Sequence, residues 1–307
     1  MSVRGIRSVS ASQPTMEGAG VRLRRGFGFG KTDEFDPFLL FDDFRGERPQ
    51  DYQAGFPWHP HRGIETITYV LAGAVEHRDS LGNHGIMRPG DLQWMTAGRG
   101  IIHQEMPEGD SQGRMHGFQL WANLPSRLKM APPRYQDIPT SAVAEIHEDD
   151  GTVVRVLAGH FWGKSGPVEG IAADPTYLDI FVPAGLTKRL PVEVDRHAFA
   201  YVFEGRGFFH DASEPKGVLT EDLATDIVTR SRPVENRHLV LFDQGDEIVV
   251  TASKEANVGE EAAGLRFLLA TGSPLGEPVA WHGPIVMNTQ SEIRQALKEL
   301  NEGTFIR

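Results

Sequence analysis

Two short runs in the first third of the chain, His59-Pro60-His61 and His103-Gln104-Glu105, carry the residue types best able to do chemistry. In an extended strand, residues i and i+2 point to the same face, so each pair can aim two donors at one point. Two such strands side by side would gather three imidazoles and one carboxylate. That set suits a first-row transition ion, and its open coordination positions fit redox or Lewis-acid chemistry better than a closed structural site. A lone histidine is ordinarily a surface or hydrogen-bonded residue. Here the spacing recurs, and six of the twelve histidines fall between His59 and His116. The chain has no cysteine, which removes every thiolate alternative.

The elements that must hold these donors read as strands. Residues 66–70 (TITYV) are strong strand formers closed by Gly73, and residues 92–96, 101–106 and 117–123 continue the series between turn signals at Gly82-Asn83 and Pro89-Gly90-Asp91. Many short strands with almost no helical period predict an all-β, double-sheet jelly roll. Residues 124–139 (LPSRLKMAPPRYQDIP), rich in proline and without periodicity, read as a linker. Beyond them, residues 152–158, 176–182, 199–203 and 238–242 repeat the strand-and-turn rhythm, and residues 211–237 read as an insertion or long hairpin. This points to a duplicated barrel, with domains expected at 1–135 and 136–307. Ile293, Ala296, Leu297 and Leu300 have helical spacing, so a short amphipathic helix is expected at the end, capped by Thr289 or Ser291 and stopped by Gly303.

The stretches DPFLLFDDFRG (36–46), FPWHPHRGIET (56–66), GDLQWMTAGRGIIHQEMP (90–107) and HGPIVMNT (282–289) closely resemble the pirin family of the cupin superfamily. The resemblance implies two tandem cupin barrels, the N-terminal one holding a single divalent metal ion, usually iron. Its motif residues fall on His59, His61, His103 and Glu105 as ligands. Some pirins cleave flavonols such as quercetin in a 2,3-dioxygenase reaction that releases carbon monoxide. The resemblance therefore implies an aromatic, enolic substrate with dioxygen, and Glu105 as the base that takes the flavonol 3-hydroxyl proton. Eukaryotic pirins are nuclear co-regulators whose iron oxidation state controls partner binding, and some bacterial ones modulate central enzymes. A non-enzymatic, metal-responsive regulator with a protein partner is accordingly the competing class, since the same ligands serve sensing and catalysis. Glu65 competes with Glu105 as the carboxylate ligand, because many cupins draw it from a few residues after HxH.

Composition narrows the partners. At 307 residues, 39% hydrophobic and 24% charged, the chain has length for two ordinary domains. The net charge of −11 argues against binding a phosphate backbone, which takes clustered Lys and Arg. The local exception, Arg22-Leu23-Arg24-Arg25, reads as the solvated face of an edge strand. Its neighbouring glycines (VRLRRGFGFG) lack the following helix that a dinucleotide loop needs. No apolar run approaches the ~20 residues of a membrane helix. The first residues lack the apolar core of a secretion signal, so cytoplasm is the expected compartment. The second half carries His160, His197, His210, His238 and His282 without a pair, and no metal is expected there.

Overall fold

The computed structural model describes residues 2–168, 170, 172, 174–210, 232–255 and 264–306. Most of the proposed insertion at 211–237 lies outside them. Among the described residues strands dominate, and a single helix of more than one turn, Gln290–Asn301, lies near the end. None of the described helices is long and apolar enough to cross a membrane.

The chain divides into two compact units that interleave along the sequence instead of meeting at one boundary near residue 135. One comprises Ser12–Ala144, Val156–Thr176 and Gly272–Arg307, and the other Met1–Ala11, Glu145–Arg155 and Tyr177–Thr271. The reason is an exchange of tails. The first strand, Ile6–Ala11, pairs with His238–Phe242, and the terminal helix is grouped with the unit that holds the histidine pairs.

In the histidine-bearing unit, a seven-stranded sheet runs in the order Arg134–Ile138, Leu92–Thr96, Ile64–Ala72, His116–Asn123, Phe38–Asp43, Val21–Phe27, Gln13–Glu17. A four-stranded sheet runs Phe56–His61, Ile101–Glu108, Ala74–Asp79, His84–Met87. Pairing throughout is antiparallel, as a jelly roll requires. Phe38 to Asp43 is buried at every position, and Ile64 to Val70 likewise, which marks the middle of the unit.

Two expectations are corrected here. Residues 124–139 are not a bare linker: past Pro132-Pro133 the proline-free RYQDI segment pairs with Leu92–Thr96 and becomes the edge of the large sheet. The arginine-rich strand Val21–Phe27 is interior, flanked by Gln13–Glu17 and Phe38–Asp43, because the preceding segment folds back as a further strand. The helix matches its expected span, and Thr289 caps it in a box with Glu292, worth about 1 kcal/mol. Its buried face, Ile293 and Ala296, packs with Ile285, Met287 and Phe305.

Candidate metal centre

The two histidine strands are direct neighbours. In the register of Phe56–His61 with Ile101–Glu108, His103 lies opposite His59 and Ile101 opposite His61. Alternation puts His59 and His61 on one face and His103 and Glu105 on one face of the partner, and the bend that ends the first strand falls at Arg62-Gly63. Gly63 sits at φ +77, where a Cβ would overlap the carbonyl oxygen of Val286. The structure thereby brings His59, His61 and His103 together, with one donor atom from each lying within 4.8 Å of the others.

The hydrogen bonds fix which nitrogens face inward. His59 Nδ1 donates to the Pro57 carbonyl at 2.8 Å, and His61 Nδ1 to the Pro284 carbonyl at 3.2 Å. In the neutral ring this leaves Nε2 as a bare acceptor. The two Nε2 atoms are nevertheless only 3.1 Å apart. Two lone pairs at that distance are reconciled by a shared proton or by a metal ion. Two metal–nitrogen bonds of about 2.1 Å at a right angle give about 3.0 Å between the nitrogens. His103 Nε2 is buried without a hydrogen-bond partner among the described residues, as suits a nitrogen that ligates a metal. Burial is the main reason that His61 and His103 titrate well below the ordinary imidazole range, with neighbouring imidazoles adding to it. Burial also lowers His59. The donors are thus neutral and ready to ligate near pH 7.

Glu105 lies one strand position beyond His103 on the same face but is not within the 4.8 Å histidine group. Its Oε1 accepts from Thr68 Oγ1 at 3.0 Å and its Oε2 from Gln119 Nε2 at 3.3 Å. Burial pushes its carboxyl up to about 7 against those two bonds. Glu65 sits past the Gly63 bend, so it does not share the face of His59 and His61. It accepts from Thr96 Oγ1 at 2.7 Å, and it does not line the pocket described below.

His77 escaped the sequence reading. Its Nδ1 is 3.4 Å from Nδ1 of His103, and its Nε2 is 3.6 Å from Asp79. That places a second imidazole and a carboxylate behind the His103 ring, where they favour the tautomer with Nε2 free. The signal was present, since His77 and Asp79 repeat the i, i+2 spacing of the other two pairs. Thr68 and Gln119 had no such signal: they meet through the cross-strand register of Ile64–Ala72 with His116–Asn123. Arg62 turns away from the histidines to pair with Glu299 at 2.7 Å. Trp94 and Met95 are fully buried in the core, Ile102 packs on the helix cluster, and Phe56 lines the pocket.

A cavity of about 620 Å³ opens on His59, His61 and Glu105. Trp121 stands edge-on to His61 with ring centres 5.1 Å apart, Trp281 lies 6.1 Å from Trp121, and Phe29 meets Trp281 at 5.5 Å. The volume suits a drug-sized ligand, and the aromatic wall suits a flat one.

Two antiparallel jelly-roll units, one presenting three convergent imidazoles that could hold a metal ion beside a carboxylate at the end of an aromatic pocket, define a bicupin. The pirin family model matches residues 20–122, and the model for the pirin C-terminal cupin domain matches residues 177–306. A pirin-like protein of Caulobacter vibrioides is 42% identical over 99% of this chain and 100% of its own length. A Pseudomonas aeruginosa protein named "Putative quercetin 2,3-dioxygenase" is also 42% identical, over 98% of each chain. Among solved structures, a quercetin 2,3-dioxygenase from Acinetobacter baumannii superposes with a TM-score of 0.82 at 29% identity, covering 99% of this chain and 98% of that one. The chain belongs to the pirin family.

Proposed function

We propose that this chain is a dioxygenase that cleaves a flavonol such as quercetin, using one divalent ion, iron, held by His59, His61, His103 and Glu105. The observation that supports it best is the pair of bare imidazole nitrogens 3.1 Å apart at the end of an aromatic pocket. When bound, the ion supplies Lewis-acid attraction for an enol oxygen and the redox capacity that reaction with dioxygen requires.

The remaining work belongs to the chain. The carbonyls of Pro57 and Pro284 hold two rings with Nε2 inward. Thr68 and Gln119 aim Glu105, whose carboxyl near 7 is matched to taking a proton from the flavonol 3-hydroxyl at neutral pH. Trp121, Trp281, Phe29 and Phe56 sandwich the rings and exclude water from the reacting end.

The test is dioxygen uptake together with bleaching of quercetin's near-visible absorbance by iron-loaded protein. Turnover well above an equal amount of free iron, lost in large part in Glu105→Gln, is the expected result. Iron-loaded protein that never exceeds the free-iron control would remove the dioxygenase reading and favour a metal-responsive regulator.

A further inference from the structure

Three residues of the arginine-rich strand Val21–Phe27 line the pocket, and one of them, Arg25, is charged. Arg25 pairs in register with Asp42, Asp42 with Gln119, and Gln119 with Thr68. These four polar residues form one row across four neighbouring strands of the large sheet, and all four line the cavity. At the near end, Thr68 and Gln119 hold Glu105. At the far end, Arg25 grips Asp42 through two bonds of 2.8 Å, from Nε and from Nη2, and Nη2 also meets Glu17 at 2.9 Å. Apolar residues flank the row two positions along the same strands: Leu23, Leu40 and Phe44, with Trp121 beside Gln119.

A polar stripe on an otherwise apolar floor is costly unless its groups are satisfied or are kept for a ligand. The two acids occupy Nε and Nη2 of Arg25, which leaves Nη1 with two N–H donors, and Glu17 is half-exposed at the pocket wall. The far end can therefore both donate to an oxygen and accept from a hydroxyl. One guanidinium against two carboxylates leaves it net negative, so it suits a neutral hydroxyl or carbonyl and disfavours a carboxylate or sulfate. From Thr68 to Arg25 is three strand spacings, about 14 Å, too far for a single-ring enol to bridge.

We infer that Arg25, Asp42 and Glu17 form a second recognition point that binds a neutral hydroxyl or carbonyl remote from the oxygen held at the histidines. This rests on the functional reading above and narrows it. The substrate class is an extended, flat, multi-ring enol with a polar substituent at its far end. Arg25 and Glu17 contact that substituent, Asp42 positions Arg25, and none of the three takes part in the chemistry.

Calorimetric titration of iron-loaded protein without oxygen tests this. Quercetin is compared with 3-hydroxyflavone, which keeps the chelating hydroxyl and carbonyl but has no remote hydroxyls. Quercetin should bind about tenfold tighter, the scale of one or two net hydrogen bonds. The ratio should fall to within about twofold in Arg25→Met/Asp42→Asn, which removes both charges together and so avoids stranding a buried carboxylate. Glu17→Gln, at a half-exposed position, should reduce the ratio in part without risk to folding. Equal affinity of the two flavonols for the wild type overturns the inference without any variant. So does a preference that survives in both variants, and so does failure of quercetin to bind. A preference that behaves as expected in a protein that consumes no dioxygen would leave the recognition point standing and remove the dioxygenase reading.

Discussion

The four-stranded sheet Phe56–His61, Ile101–Glu108, Ala74–Asp79, His84–Met87 has a counterpart of the same order in the other unit: Thr187–Pro191, Glu247–Ala252, Arg206–Phe209, Val234–Glu235. The seven-stranded sheets correspond in the same way, each central strand to a central strand. In the first unit, the two leading strands set His103 opposite His59. In the second, they set Ile248 opposite Leu190 and Val249 opposite Arg189. There Leu190, Ile248 and Val250 are buried, and Phe209 packs against Phe242 and Phe267. One strand plan serves two purposes because alternation only decides which side chains point inward. The inward residue types then decide between a polar site and an apolar core.

The largest effect should come from removing two of the donors. His59→Ala together with His103→Ala is expected to take bound metal, read by elemental mass spectrometry, from about one equivalent per chain to background. Retention of the metal would break the contrast between the units at once. A second large effect is expected at the bend that ends the His61 strand. Gly63→Ala forces a Cβ onto the Val286 carbonyl at positive φ, and should cost about 3 kcal/mol or more in urea unfolding. Metal should be lost along with it.

Acid should single out the histidine-bearing unit. The folded pKa values of His59, His61 and His103 lie below their unfolded values. Below about pH 6.5 the unfolded chain therefore binds more protons than the folded one, and stability falls as pH falls. For the metal-free protein, the urea midpoint should drop from pH 7 to pH 5. That drop should shrink when all three histidines are replaced by glutamine. An undiminished drop would place the acid sensitivity elsewhere.

These same histidines show what a sequence can disclose. Pairs at i, i+2 are visible without a structure, because a strand's period is short and local, and the terminal helix is legible for the same reason. What lies across strands is not. Thr68 and Gln119 meet Glu105 through register, and Arg25 reads as a solvated charge until Gln13–Glu17 is seen to cover its strand's other edge. The paired prolines at 132 and 133 disguised an edge strand as a linker. The exchange of terminal segments between units left no local mark, so a single boundary near residue 135 was the natural expectation.

The smallest effect sharpens the contrast from the other side. His197→Ala and His238→Ala should each keep one equivalent of metal and cost at most about 1 kcal/mol. Loss of metal from either, in a protein that still unfolds cooperatively, would reassign the division of labour.

The most direct measurement is anomalous diffraction at the iron absorption edge from crystals of iron-loaded protein. A single strong peak should appear among the Nε2 atoms of His59, His61 and His103, with the Glu105 carboxylate turned toward it. A peak in the other unit, or none among these three nitrogens, would contradict the assignment.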